Sequence, residues 1–336
     1  MTQEKPILIF GAGAIGCYLG ATWAASGLPI TLLGRKHLQD LDQTGLTCSN
    51  GAVIAAENIG TNPKLAFSAE TLSDARLIVL SVKSTALPQA ISDISKFAAP
   101  ETPILCLLNG VAAARSLREA FPDREIIAGM VLYNVVWQGP STLKRSSVGH
   151  VTLEQTKTTQ RLATALSDSL DPIQLSHSID AVQYGKLLLN LNNPVNALSG
   201  LTLYHQLRQR QFRRVYAAVL EEALSLLNTA QIAHAKSGPL PAAKIVKMLR
   251  APNWVFNTFA LPRQKLDPNS QTSMAQDLAS GKPTEIDTLN GEILRIAQQN
   301  GLSAPINSKI VDLIHDAENG GQRSYSGDQL GAAIGI

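Results

Sequence analysis

Apolar residues in the first half of the chain come in short runs, separated by stretches of helical period. Ile7–Phe10, Ile30–Leu33, Leu77–Ser81 and Ile104–Leu108 are almost wholly apolar, as parallel strands buried on both faces require. Ile126–Val136 and Val148–Leu153 read as later strands. From about Asp180 the texture changes. Helical patterns cover 181–193, 208–233, 241–249, 272–281 and 284–300, and the strand-like runs stop. Pro172 and the polar segment 176–180 mark a boundary. The pattern predicts an α/β chain: a doubly wound sheet over residues 1–178, then an all-helical domain over 179–336. The tail after Asn319 is rich in Gly and Ser and reads as loose.

The first strand runs into Gly11, Gly13 and Gly16, a G-x-G-x-x-G pattern, and then into a helical segment and the Ile30–Leu33 strand. Strand, glycine turn, helix, strand is the context in which this motif binds a dinucleotide. Gly11 allows the tight turn, Gly13 leaves room for a pyrophosphate, and Gly16 lets the helix approach the strand. Ala12, Ala14 and Ile15 complete the loop, and free N–H groups at the helix start suit phosphate. This part of the chain is therefore expected to be Rossmann-type. No charged residue occurs from Ile7 to Gly34, so a hydropathy window also reads a membrane span or signal peptide there. The placing of the glycines, and the break into two strands and a helix, favour the nucleotide-binding reading.

Composition narrows the class further. A chain of 336 residues with 45% hydrophobic content suits two globular domains. A net charge of +3 gives no argument for nucleic acid. Cys17, Cys48 and Cys106 form no C-x-x-C, and the six histidines are dispersed, so neither a disulfide framework nor a structural metal is implied. The expectation is a reduced, cytoplasmic enzyme acting on a small molecule as a monomer or homodimer, without nucleic-acid or membrane partners.

The second strand ends Leu33-Gly34-Arg35-Lys36, where an NAD-binding domain usually carries an acid for the ribose hydroxyls. An Arg at that point can grip a 2′-phosphate with two parallel hydrogen bonds. NADP (as NADPH) is therefore favoured over NAD, with Arg35 as the reader and Lys36 as a second charge. A solvated basic pair is the plain alternative. Two further loops follow apolar runs. Lys83 is placed to meet the cofactor or a substrate anion, and Asn109, followed by Gly110, is placed to approach the nicotinamide ribose.

In the second half, Lys186, Asn190 and Asn193 fall at i, i+4 and i+7 among leucines, on one face of a predicted helix. A lysine on a buried helix needs a partner or a purpose, because desolvation disfavours its charge. Snorkelling of the lysine to the surface is the structural alternative.

The Gly11–Gly16 turn, the Val82-Lys83 and Asn109-Gly110 loops, the Lys186–Asn190 helix, Ser273-Met274-Ala275-Gln276-Asp277 and Pro283–Gly291 together resemble the ketopantoate reductase (2-dehydropantoate 2-reductase) family. The resemblance runs from Ile7 to about Leu313. It implies NADPH-dependent reduction of ketopantoate to pantoate, on the route to pantothenate, by a Rossmann domain followed by a helical domain. By resemblance Lys186 is the general acid, Asn190 and Ser273 hold substrate, Glu285 lies near substrate and nicotinamide ribose, and Lys83 and Asn109 line the cofactor side, with Asn109 also reaching substrate. Two positions depart from the family pattern. Only two residues separate Asn190 from Asn193, where the family has three, so the second substrate asparagine transfers to Asn193, with Asn196 as the fallback. Ser270, beside Asn269, stands where the family has another asparagine. Two other readings remain open: a reductase of a different branched 2-keto acid on the same scaffold, and a non-catalytic NADP-binding regulator.

Overall fold

The computed structural model describes residues 4–35, 38–236, 240–264 and 266–336. Its chain divides into two compact units: 1–108 with 112–179, and 109–111 with 180–336.

Among the described residues, the first unit contains twelve strands: β1 Ile7–Phe10, β2 Ile30–Leu33, β3 Leu46–Cys48, β4 Val53–Ile54, β5 Lys64–Ala66, β6 Leu77–Leu80, β7 Ile104–Cys106, β8 Ile126–Val131, β9 Val135–Trp137, β10 Thr142–Arg145, β11 Val151–Glu154 and β12 Ile173–Ser176. Eight form one sheet in the order β12-β11-β8-β7-β6-β1-β2-β5. The run β5-β2-β1-β6-β7-β8 is parallel throughout and has the 3-2-1-4-5-6 order of a doubly wound nucleotide-binding sheet. β11 joins β8 antiparallel, and β12 lies parallel to β11. The expected α/β class, with a Rossmann-type sheet followed by helices, is the observed one.

The small second sheet, β4-β3-β10-β9, was not expected from the pattern. It explains the missing charges. Helix Ala14–Ala25 packs against β1 and β2 on one side and against β3, β4 and β9 on the other. Every residue from Gly16 to Ala24 is buried. A helix covered on both sides is apolar all round, and no described helix is long and apolar enough to cross a membrane. The predicted strand Ile126–Val136 is corrected to two, because the chain leaves the large sheet after Val131 and enters the small one at Val135. Tyr133 turns inward at that crossing, its hydroxyl donating to Asp171 and its ring 4.0 Å from the Arg145 guanidinium.

The second unit is built around helix Arg210–Thr229, which packs on helices Ala242–Leu249, Asn290–Gln299, Pro305–Glu318 and Gly327–Ala333. Charged side chains organise this packing. Arg213 is fully buried and donates to the carbonyls of Leu207, Arg208, Leu249 and Ala251 at 2.9–3.1 Å. It thereby satisfies acceptors left over at two helix C-termini. Glu222 accepts from the amides of Ile306 and Asn307 at 2.9 and 2.8 Å, supplying a negative charge where the Pro305 helix begins. The tail expected to be loose is instead ordered. Ser326 and Gln329 form a capping box for helix Gly327–Ala333, and Leu330 is fully buried.

Candidate functional site

At the carboxyl edge of the large sheet, three loops follow paired strand ends, since Phe10 stands opposite Leu33 and Leu80. They are the glycine turn, Gly34–Arg35 and Ser81–Lys83. Gly11 has φ of +109°, and a Cβ there would lie 2.5 Å from the Val82 amide nitrogen, so both backbone and space demand glycine. A Cβ on Gly16 would lie 2.4 Å from the Gly11 carbonyl oxygen, which also accepts from Ser81 Oγ at 3.0 Å. Gly13 differs from both: a Cβ there meets no atom of the described residues within 4 Å. The amides of Ala14, Ile15 and Gly16 precede the helix's first return bond, from Cys17 N to Gly13 O at 2.9 Å. No side chain caps this helix, and no acid sits in its first turn. Among the described residues, the edge therefore presents open space in front of unshielded helix N–H groups, a cradle that suits a pyrophosphate. Arg35 is exposed at the end of β2, and Lys83 is exposed after β6. Lys36, the second charge expected there, lies outside the described residues.

The other candidate residues gather in the helical unit. Asn109, Gly110 and Val111 follow β7 but cluster with this unit, and Val111 packs into its core. Gly110 has φ of +80°, and a Cβ on it would sit 2.8 Å from the Thr288 carbonyl oxygen. That close approach lets the Asn109 amide donate to Glu285 Oε2 at 3.2 Å. Glu285 in turn acts on Lys186, which sits two turns into helix Ile179–Asn190. Part of the Lys186 side chain remains accessible, yet the protein packed around its ammonium group dominates. Desolvation pulls its pKa from 10.5 down to about 8, with the Glu285 carboxylate opposing the fall. Asn109, Lys186 and Glu285 thus form one electrostatic cluster drawn from three separate parts of the sequence.

The asparagine stripe needs correction. The predicted helix 181–193 stops at Asn190, and Asn193 opens a new helix, Asn193–Ser199, with Pro194 in its first turn. Between them Asn192 N reaches back only to Leu189 O, at 3.3 Å, a tight turn that ends the α-helical ladder. Pro194 has no N–H to continue that ladder but suits a first turn. Lys186 and Asn190 share a helix, whereas Asn193 does not belong to it; both asparagines are half-buried. The predicted helix 284–300 is also interrupted. Residues Ile286–Thr288 form a single tight turn that carries Glu285 at its start, and the α-helix begins only at Asn290.

Asn196, the fallback ligand, is fully buried and its amide is already used. It donates to Leu201 O at 3.0 Å and accepts from Thr272 N and Thr272 Oγ1, both at 3.1 Å. Thr272 caps the helix that begins at Ser273 by accepting from Ala275 N. Asn196 therefore supports the element that carries Ser273, which is itself exposed. Sequence reasoning missed this support. The Thr before an apolar helical run was the available signal, but its partner 76 residues away had none. Ser270 bonds locally to Asp267 O at 2.8 Å, and its own carbonyl accepts from Leu203 N at 2.9 Å.

Comparison with known proteins gives a consistent family. Residues 7–158 match the family described as ketopantoate reductase PanE/ApbA, and residues 178–318 match its C-terminal counterpart. A 2-dehydropantoate 2-reductase from Streptococcus pyogenes is 23% identical over 323 residues, covering 93% of this chain and 97% of that protein. Among solved structures, a PanE/ApbA family ketopantoate reductase from Ralstonia eutropha is 26% identical with a TM-score of 0.77, covering 94% of this chain and 99% of that one. A D-mandelate dehydrogenase solved with NADH and anilino(oxo)acetate has the same fold: TM-score 0.74, 23% identity, and 94% and 99% coverage.

Proposed function

The chain belongs to the ketopantoate reductase PanE/ApbA family, a family of NAD(P)H-dependent oxidoreductases, and on that premise we propose that it reduces 2-dehydropantoate to pantoate with NADPH as cofactor. The observation that carries the chemistry is Lys186, a lysine with its pKa lowered to about 8, beside a carboxylate held by an asparagine amide. The dinucleotide is supported by the glycine cradle, where Gly11 and Gly16 tolerate no side chain and the face of Gly13 is open. Gly11 to Gly16 hold the pyrophosphate, Arg35 takes the 2′-phosphate, and Lys83 and Asn109 lie toward the cofactor. The bound cofactor supplies the hydride.

The chain's own groups handle the rest. Lys186 Nζ stabilises the charge that develops on the carbonyl oxygen and provides the proton it takes up. A pKa near 8 keeps the ammonium protonated at neutral pH while making it a better donor than an ordinary lysine. Glu285 prevents burial from lowering that pKa further, and Asn109 fixes the Glu285 carboxylate. Asn190 and Asn193 address the substrate's polar groups, and Ser273 its carboxylate. Residues 1–178 serve as the cofactor domain and 179–336 as the substrate domain.

A second reading is favoured by the helix break between Asn190 and Asn193 and by the locally bonded Ser270. Both alter the family's substrate positions and leave the acid untouched. In that reading the chemistry is the same but the substrate is another 2-keto acid, branched or aryl. The test is a steady-state comparison of cofactor oxidation, with NADPH and NADH, using 2-dehydropantoate, a branched 2-keto acid without its hydroxyl, and an aryl 2-keto acid. The proposal expects the highest kcat/KM with NADPH and 2-dehydropantoate. A higher value for either other acid establishes the second reading, and no turnover with any of them removes the enzyme assignment.

A further inference from the structure

The turn that carries Glu285 is held from behind by three ionisable side chains. Thr284 N donates to Glu318 Oε1 at 2.7 Å. Glu318 Oε2 lies 3.1 Å from His315 Nδ1, one turn back on the same helix. The other ring nitrogen, His315 Nε2, lies 3.0 Å from Asp287 Oδ1. Thr284 and Asp287 flank Glu285, so these contacts close a loop around its backbone: Thr284, Glu318, His315, Asp287. Inside the turn, Ile286 N donates to Thr284 Oγ1 at 3.3 Å, and Thr288 Oγ1 donates to the Glu285 carbonyl at 3.1 Å.

The two ring contacts determine the protonation state. A neutral imidazole has one N–H and one lone pair. Against two carboxylate oxygens, one of its nitrogens would face an acceptor with no proton between them. Only the imidazolium satisfies both sides. Glu318 on its own helix and Asp287 on the turn are the charged groups that act on His315.

We propose that His315 is a positioning residue that, when doubly protonated, clamps the turn bearing Glu285 and so sets the carboxylate that tunes Lys186. This rests on the functional reading above, in which Lys186 is the acid. The balance of forces agrees with the geometry. Burial lowers the His315 pKa, but the bonds to Glu318 and Asp287 outweigh it and leave it raised above 6.5. Glu318 shows the converse: burial raises its pKa, and the Thr284 and His315 contacts bring it below 4.5. The signs define a window. A raised histidine pKa gives stabilisation that is complete below 6.5 and lost as pH climbs through the folded value. A lowered carboxyl pKa gives stabilisation that is present above 4.5 and lost as pH falls through the folded value. The clamp is therefore whole in weak acid, and it opens as pH rises through the raised histidine pKa.

The test uses the whole protein and two variants, His315→Gln and His315→Arg. Gln cannot donate on both sides, whereas Arg donates on both at every pH. kcat and KM for the keto acid are measured between about pH 6 and 9, spanning the ordinary histidine pKa. Because the triad is partly exposed, His315→Gln is expected to lower kcat only about two- to fivefold at the acid end. It should leave KM for NADPH unchanged and converge on the wild type at the alkaline end. His315→Arg should keep the acid-end activity and lose the histidine-dependent part of the alkaline decline. A constant ratio of His315→Gln to wild type across the range overturns the proposal, since a residue needed only for packing behaves that way. Amide hydrogen exchange of residues 284–288 provides a readout independent of turnover. Protection in the wild type, corrected for intrinsic rates, should fall as pH rises and stay level in His315→Arg. If no keto acid is reduced, the functional reading fails while the exchange experiment still decides the clamp, and level protection in the wild type overturns it.

Discussion

The glycine edge of the sheet and the Lys186 cluster of the helical unit are both polar sites on apolar frames, but they are built in different ways. The edge is made of backbone. Its donors are helix amides, its shape comes from missing side chains at Gly11, Gly13 and Gly16, and Arg35 stands exposed at its side. The cluster is made of side chains whose properties exist only in one another's company. Lys186 has a pKa near 8 because of the protein packed around it and because Glu285 answers that burial, and Glu285 is held by Asn109. A backbone site is tolerant of what surrounds it and depends on a few small residues. A side-chain site is tuned by every neighbour, which makes it adjustable and easier to disturb.

The largest expected effect separates the two. On the proposed mechanism Lys186→Ala removes the proton and the stabilising charge, so kcat should fall by about 10²–10⁴-fold, with NADPH binding intact because the edge is untouched. Removing a desolvated ammonium need not destabilise the unit, so thermal unfolding should show a folded protein. A loss under about tenfold, below the range for general acid catalysis, would take Lys186 out of the mechanism and leave Lys83 as the candidate. Next comes Arg35→Asp, at the other site. If Arg35 takes the 2′-phosphate as proposed, exchanging it for an anion should weaken NADPH by about ten- to a hundredfold and NADH little. Equal losses for both cofactors would show that Arg35 does not read the phosphate.

The pH dependence sharpens the contrast. An acid with a pKa of about 8 in the free protein requires kcat/KM to fall as pH rises through that value, approaching about tenfold per unit above it. Cofactor affinity at the backbone edge should not follow that titration, and a flat kcat/KM up to pH 10 would contradict the assignment. Stability carries the opposite sign. A folded lysine pKa below its unfolded 10.5 makes the protonated form costly in the fold, so this cost is full below about pH 8 and fades toward 10.5. Of the changes at these two sites, the smallest effect is expected of Ser273→Ala. Losing one exposed hydroxyl contact should raise KM for the keto acid about two- to tenfold with NADPH affinity unchanged, and comparable losses for both ligands would move Ser273 off the substrate side.

What the chain's order of residues determined by itself was local. Four short apolar runs became β1, β2, β6 and β7, and the glycine spacing became a turn between β1 and its helix, because strand burial, positive φ and helix starts depend on neighbours in sequence. Arg35 at the end of β2 was legible for the same reason. Tertiary structure decided what depended on distant partners. The charge-free first helix is uncharged because a second sheet, assembled from β3, β4, β9 and β10, covers its far side. The expected helix through Asn193 breaks after Asn190, and Asn196 is taken up by Thr272, 76 residues further on. Lys186 was visible as an odd charge among leucines, but its lowered pKa was not. Desolvation and the field of Glu285 are set by which groups the fold brings within a few ångströms, and one-dimensional spacing does not carry that quantity.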